Sequence, residues 1–299
     1  MKRTAVITIN YNSGTETKKY IDQIKEYKII DKIIIVDNAS TDNSLQILEQ
    51  LRNDKIVIIK SLENLGYAKA NNLAIKALGD EFKYIIISNS DISIEENSIK
   101  KCIKFLENNS EVAIAAPRIF VNGKQDKMST WKERTFFLDI INSLGFLQLL
   151  FYPLHIKSRY TNKNFVQKTT EVQCVSGAFF VAKYEILKKV NFFDPNTFLF
   201  YEEDILCKKI RDLGYKICTV NTEKCIHYKS KIIDRTFNEF AKKDIFNESR
   251  KYYHNKYNKI KKWKLKLFDI LNLFRKIEIT AQVAFNKLKK GCTISRRKK

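Results

Sequence analysis

Proline occurs three times and glycine eight times in 299 residues, which excludes a collagen-like or Gly/Pro-rich low-complexity chain. The six cysteines (Cys102, Cys174, Cys207, Cys218, Cys225, Cys292) form no C-x-x-C pair and no regular framework, so neither a zinc ribbon nor a secreted disulfide scaffold is supported, and a reducing cytosol is the simple reading. No run approaches the roughly 18 to 20 uninterrupted apolar residues of a membrane span. The opening MKRTAVITIN is too short an apolar stretch for a signal peptide and runs straight into a strand pattern, so export by that route is not expected. There is no G-x-x-x-x-G-K-[ST] and no G-x-G-x-x-G, which removes the main signatures of P-loop and dinucleotide-binding enzymes.

What is present is a core-forming composition: 44% hydrophobic residues, with 20 Phe and 14 Tyr. The length suits one large α/β domain or two smaller ones. The formal net charge is +22 and is unevenly placed, since Arg250 to Lys299 carries 17 basic residues against Asp269 and Glu278. Such a tail suits nucleic acid, an anionic membrane surface or plain solvent.

Four short apolar runs, Thr4 to Ile9, Lys32 to Val36, Lys55 to Ile59 and Tyr84 to Ile87, lack alternation, as strands buried on both faces of a parallel sheet do. Helical stretches lie between them, Asp42 to Leu51 and Gly66 to Leu78. This β-α-β-α order predicts a doubly wound α/β sheet. Each run ends in polar residues: Asn10 and Asn12, Asp37 and Asn38, Ser61 and Asn64, then Asn89-Ser90-Asp91. Ligands of open α/β sheets bind outside the carboxyl ends of the strands, where these side chains would gather; the competing reading is turns and helix caps. Residues 119 to 170 are less regular, with an apolar stretch from Phe136 to Leu154. Beyond them Val172 to Ala182 reads as strand, Glu203 to Leu213 as a helix closed by Gly214, and Tyr215 to Val220 as strand.

Asp91, at a strand end, can bind a hard divalent cation that grips nucleotide phosphates. Glu202-Glu203-Asp204 at a helix start exceeds what the helix dipole asks for, and mutual repulsion with partial burial makes such a run a source of a base active near neutral pH. His227 is either structural or completes a metal site opposite Asp91. The stretch from Asn64 to Asn72 brings a helix N-terminus to the same rim, which suits an anion.

In order, Val36 to Asp42 (VDNASTD), NLGYAKANN from Asn64, NSD from Asn89, SGAFFVAK from Ser176, FYEED from Phe200 and then His227 resemble family 2 glycosyltransferases of the GT-A fold, in particular the rhamnosyltransferase-like members that build O-antigens and capsules. The resemblance covers roughly residues 4 to 230. It implies a Rossmann-like, mostly parallel sheet flanked by helices over 1–230, with a nucleotide-binding half at 1–118 and an acceptor half at 119–230, followed by a helical basic extension at 231–299. Asp37 would contact the donor's base or ribose with Asn10 and Asn12 beside it; Asn64, Gly66 and Lys69 would border the nucleotide pocket. Asp91 would hold Mg²⁺ or Mn²⁺ with the diphosphate, beside Asn89, and His227 would approach the same metal. Gly177 would line the donor-sugar and acceptor space. Two departures stand out. Asn89 replaces the first acid of the Asp-x-Asp metal motif, and Glu-Glu-Asp replaces the usual acidic motif, so the base is Asp204 or Glu203 depending on the alignment. The implied reaction is a single inverting displacement from a nucleotide-diphosphate sugar, dTDP-rhamnose or a UDP-hexose, onto a hydroxyl of a glycan carried on polyprenyl diphosphate.

From Ile260 the residues Trp263, Leu267, Leu271, Phe274, Ile277, Ala281, Phe285 and Leu288 recur at three- and four-residue spacing among lysines and arginines, predicting one or two amphipathic cationic helices suited to an anionic membrane interface. The expected location is then cytoplasmic, on the inner face of the plasma membrane. The alternative is that the stripe packs on the enzyme body or on a partner subunit of a homo-oligomer. Nucleic acid is not an expected partner, because no recognition motif accompanies the charge. The nearer rival is a sugar nucleotidyltransferase, against which the acid run behind Phe200-Tyr201 argues.

Overall fold

The computed structural model describes residues 3–145, 165–229 and 236–296, with side chains to residue 281 in the last helix. Residues 146–154 of the apolar stretch, and the side chains of Phe285, Leu288 and Cys292, lie outside the described residues. The chain forms two compact units, one of residues 3–133 with 165–229 and Thr236, the other of 134–145 with 237–296.

In the first unit, β1 (Arg3–Asn10), β2 (Lys32–Asp37), β3 (Ile56–Lys60) and β4 (Phe82–Ser88) alternate with α1 (Gly14–Ile24), α2 (Ser44–Glu49) and α3 (Gly66–Ala77). The four strands lie in the order β3-β2-β1-β4 and all pair in parallel. Their unalternating sequences follow from burial on both faces: Ala5 to Ile7, Ile33 to Val36 and Tyr84 to Ile87 are all buried. Each fully buried Ile or Val contributes about 1.5–3 kcal/mol. The strands run one or two residues further than their apolar cores, so that Asn10, Asp37 and Ser88 are the last ladder residues.

After β5 (Ile92–Ile94) and α4 (Glu96–Asn108), the sheet continues through β6 (Val112–Val121), with β7 (Lys124–Gln125) and β8 (Thr130–Trp131) beyond it. The single strand expected over Val172 to Ala182 is instead three: β9 (Thr169–Val172), β10 (Cys174–Val175) and β11 (Phe179–Lys183). The breaks fall at Gln173 and at Ser176-Gly177-Ala178, where the chain leaves the large sheet and returns to it, since β9 pairs with β12, β10 with β8, and β11 inserts antiparallel between β4 and β6. Two helices follow, α6 (Tyr184–Lys189) and α7 (Glu202–Asp212), and then β12 (Lys216–His227). β12 is longer than the expected Tyr215 to Val220 and lies between β6, in parallel, and β5, antiparallel, with β9 also antiparallel to it. The sheet is therefore largely parallel, with β11 reversed near its middle.

The second unit contains α5 (Phe136–Ser143), α8 (Glu239–Lys256) and α9 (Lys262–Arg296). Thr135 caps α5 by accepting from Leu138 N, and Asn238 caps α8 by accepting from Ala241 N, as short polar residues do at helix starts. The core here is part polar. His254, fully buried, meets Asp139 Oδ2 through Nε2 at 2.8 Å and stacks on Phe268. The buried Arg250 guanidinium lies 3.9 Å from the centre of the same ring and donates to Ser143 and Asn247.

The predicted tail stripe divides between two faces of α9. Leu271 is buried, together with Leu265 and Phe268. Trp263, Leu267, Phe274 and Ile277 are exposed. A 3.6-residue period carries Leu271 round the helix from Trp263, so spacing by threes and fours alone had merged two faces into one. Among the described residues no helix is long and apolar enough to cross a membrane.

Candidate active site

The carboxyl ends of β1 and β2 form one closed hydrogen-bond set. Asn10 Nδ2 donates to Asp37 Oδ1 at 2.8 Å and to Ser40 Oγ at 3.0 Å, while Asn10 Oδ1 accepts from Ser13 and Thr17. Ser40 Oγ in turn donates to Asp37 at 2.6 Å. Asn12, at positive φ, accepts from Thr41 N through Oδ1, and its own N–H donates to Ser40 Oγ. Burying Asp37 is tolerable because its carboxylate is met by donors on two sides.

A second set links β2 to the start of α3. Asn38 Nδ2 donates to Asn64 Oδ1 at 3.0 Å, and Asn38 Oδ1 accepts from Leu65 N. Asn64 Oδ1 also accepts from Gly66 N. Gly66 has φ +72°, and a Cβ there would stand 2.2 Å from Phe198 O; both the conformation and the space require glycine. Lys69 is exposed on α3 and joins none of these hydrogen bonds.

Strand direction assembles the other side. Because β11 runs antiparallel to β4, its beginning rather than its end lies at the carboxyl edge, and Asn89 N donates to Ala178 O at 2.9 Å. Gly177 arrives beside Asn89 by the same route. β12 ends at His227, opposite Ile92 of β5, so His227 Nε2 comes within 3.2 Å of Asp91 Oδ1, and Tyr228 N donates to Asp91 O. Residues 136 positions apart in sequence thus form one pair. The carboxylate and imidazole are a mixed O/N donor set, and two protein ligands are what remain when phosphates and water fill the other positions of a hard cation. The pair fits Mg²⁺ or Mn²⁺ in that sense. No larger His/Cys/Asp/Glu cluster of metal-ligating geometry occurs among the described residues.

The three acids of α7 do different things. Phe200 and Tyr201 both adopt positive φ, 70° and 66°, a conformation that costs a bulky residue on the order of 1–2 kcal/mol. That sharp entry turns the first turn of α7 toward Gly177. Glu203, half-buried, accepts from Gly177 N through Oε1 at 3.1 Å. Asp204 is 2% exposed and accepts from Trp131 Nε1 at 2.7 Å. Glu202 is buried as well. Further along α7, Lys208 and Arg211 both reach Glu133.

Tyr67 joins the two sides. Its hydroxyl donates to Gly177 O at 2.8 Å, so one glycine peptide is held by Tyr67 at its carbonyl and by Glu203 at its N–H. A Cβ on Gly177 would stand 2.8 Å from both Glu203 Oε1 and Tyr67 Oη. Burial pushes the Tyr67 phenol well above its usual range, and the charges of Glu203, Glu202 and Asp91 push the same way, against a hydrogen bond with Asn71. Sequence reasoning passed over Tyr67 although it sits between Gly66 and Lys69 in a motif already singled out. Trp131 gave no signal at all, because its role depends on the β8–β10 pairing of Trp131 with Cys174.

A mostly parallel sheet with polar groups along its carboxyl edge, a strand-end acid paired with histidine and an acidic helix start beside a glycine is the layout of a GT-A glycosyltransferase. The model of glycosyl transferase family 2 matches residues 5–190, and the chain belongs to that family. It is 27% identical over 148 residues to the poly(ribitol-phosphate) β-N-acetylglucosaminyltransferase TarS of Staphylococcus aureus strain Mu50, covering 48% of this chain and 26% of TarS. It is 24% identical over 228 residues to the O-antigen chain rhamnosyltransferase RfbN of Salmonella typhimurium strain LT2, covering 73% of this chain and 63% of RfbN. The chain thus spans about a quarter of the first relative and under two thirds of the second. Among solved structures, GalNAc-T7 with UDP, GalNAc and Mn²⁺ superposes with a TM-score of 0.60 at 14% identity, over 76% of this chain and 44% of that one. Similarity at that identity is one of fold.

Proposed function

We propose that the protein is an inverting glycosyltransferase that moves a sugar from a nucleotide-diphosphate donor to a hydroxyl of a growing, lipid-linked surface glycan. The observation that carries this reading is the Gly177 peptide, whose N–H donates to Glu203 and whose carbonyl accepts from Tyr67 Oη, next to Ala178, whose carbonyl accepts from the N–H of Asn89 two residues before Asp91. A general base and a diphosphate-binding acid around one point are what a single displacement at an anomeric carbon needs.

Asp37, with Asn10 and Asn12, takes the donor's base or ribose, and Asn64, Gly66 and Lys69 border the nucleotide. Asn89 and Gly177 line the sugar. Asp91 and His227 are the residues to hold Mg²⁺ or Mn²⁺, which when bound supplies positive charge to the departing diphosphate. Glu203 accepts the proton of the acceptor hydroxyl; the oxygen attacks the anomeric carbon, the bond to the nucleotide diphosphate breaks, and the configuration inverts. Glu203 suits this role better than Asp204 because it is less buried and lies at Gly177, whereas Asp204 is engaged by Trp131. Asp204 is then a positioning residue that fixes the start of α7. Tyr67 aligns the Gly177 peptide and through it the Glu203 carboxylate.

The donor classes to screen are dTDP-rhamnose and the UDP-hexoses, in keeping with the names borne by RfbN and TarS. The domain reading is a GT-A domain over 1–230 and a helical basic extension over 231–299 that meets the inner face of the plasma membrane. The test is release of nucleotide from a donor panel, with and without Mn²⁺ or Mg²⁺, using a lipid-linked acceptor extract. Turnover of no donor in the panel would reject the proposal; formation of pyrophosphate from a sugar phosphate and a nucleoside triphosphate would select the nucleotidyltransferase instead.

A further inference from the structure

Helix α9 carries two apolar faces, and the helices of its own unit use only one. Leu265, Phe268 and Leu271 are buried, with Phe268 against Phe136 and His254. On the far side Trp263 is 66% exposed, Ile270 53%, Phe274 59% and Ile277 57%, with Leu267 and Leu273 exposed beside them. At 100° per residue these six fall within about a third of the helix circumference, roughly opposite Phe268. Six large apolar side chains in one exposed stripe are more than scattered surface residues account for.

Charge identifies the occupant. Lys262, Lys264 and Lys266 surround the start of the stripe, and after Glu278 the sequence has seven Lys and Arg and no acid. Residues 237–299 hold 19 Lys and Arg against five carboxylates. Pairing two copies along this stripe would bring like charges together, which coiled-coil seams avoid. An anionic surface gains from the same charges. Beside the stripe, a cleft of about 360 Å³ between α8 and α9 is lined by Lys251, Tyr252, Asn255, Lys262, Leu265 and Lys266, with Glu248 and Asp269. Both of those acids engage Lys251, at 2.8 Å each. Lys262 and Lys266 stand one turn apart and are exposed.

We propose that α9 lies in the interface of an anionic bilayer through its Trp263–Ile277 face, with Lys262 and Lys266 taking a phospholipid phosphate at the cleft. This deepens the membrane-surface reading above by naming the face and the headgroup contact. The inner face of α9 stays on its own unit, so docking requires no unfolding of the helix pair.

The test uses the full chain and vesicles of equimolar phosphatidylglycerol and phosphatidylcholine, compared with phosphatidylcholine alone. Sedimentation with the anionic vesicles is expected, with quenching of Trp263 by brominated acyl chains that disappears in Trp263→Phe. Joint Ile270→Ser and Phe274→Ser substitution should weaken partition at least about tenfold. Lys262→Gln and Lys266→Gln should each weaken it about fivefold. Inorganic phosphate should not displace the protein; displacement would reduce the cleft to a simple anion site and overturn the inference. Equal binding to both vesicles, binding to neither, or a dimer in lipid-free solution that Ile270→Ser dissociates would also overturn it. Nucleotide release by the same preparation distinguishes failure of docking from failure of the transferase reading.

Discussion

The two units handle polar and apolar groups in opposite ways. At the strand-end edge of the first, the buried Asn10 and Asp37 satisfy one another, Asp204 of α7 accepts from Trp131, and the unit's buried apolar residues pack around the sheet. In the second, a polar cluster of Asp139, His254 and Arg250 joins α5 to α8 in the interior, while large apolar residues of α9 face outward. Buried polar groups with many partners hold a rigid, preorganised surface for a ligand. An outward apolar stripe with basic flanks is the pattern that suits an anionic interface. The comparison teaches that the candidate ligand site of this chain gathers where strand ends meet helix starts, as at Asp91 and Glu203, whereas the outward face of α9 presents apolar side chains.

The comparison is most easily broken in the second unit. Asp139→Ala removes the buried carboxylate that meets His254 at 2.8 Å and lies 3.8 Å from Arg134; urea or thermal unfolding should show a loss of about 3 kcal/mol or more. A change within 0.5 kcal/mol would mean that the polar cluster is incidental. For the first unit, removal of divalent metal with a chelator should lower turnover about a hundredfold, and Asp91→Ala should reduce the rescue by added Mn²⁺. Undiminished turnover in chelator would remove Asp91 and His227 from the metal role. Next in size is Gly66→Ala, where the Cβ meets Phe198 O and the φ is unfavourable; the expected loss is about 2 kcal/mol, read by chemical denaturation.

The smallest effect lies at Glu223. Burial raises its pKa, but hydrogen bonds from Lys101, Thr222 and Ser98 outweigh burial and hold the carboxyl below its ordinary value of 4.5. A folded-state pKa that is depressed contributes stability in full above the unfolded value and loses it as pH falls through the folded value. Wild type should therefore exceed Glu223→Gln by about 1 kcal/mol near neutral pH, and the two should converge as pH falls through about 4 and below. A gap that is constant with pH would point to packing instead of charge.

Much of the first unit was readable from sequence, for identifiable reasons. Strands buried on both faces cannot alternate, so Ala5 to Ile7 and Ile33 to Val36 announced a parallel sheet, and the polar residue after each run marked the carboxyl edge. That reasoning located Asn10, Asp37, Asn64 and Asp91. The approach of His227 to Asp91 was stated as an expectation, but the register that produces it, β12 running to His227 against β5, was not visible in an apolar pattern that fades after Val220. The choice between Glu203 and Asp204 was closed to sequence because two consecutive left-handed residues, Phe200 and Tyr201, rotate α7, and neither is glycine or asparagine. Trp131 was hidden because its role depends on a two-residue pairing across more than 40 positions. On α9, spacing by threes and fours could not separate Leu271 from Phe274.

The central claim is that Glu203 is the base and Asp204 its support. The most direct measurement is single-turnover nucleotide release by wild type, Glu203→Gln and Asp204→Asn, with donor affinity determined for each. Glu203→Gln should lose about 10²- to 10⁴-fold in rate at unchanged donor affinity, while Asp204→Asn, which keeps an oxygen acceptor for Trp131, retains most of the rate. The reverse ranking, or full activity in both, would contradict the assignment.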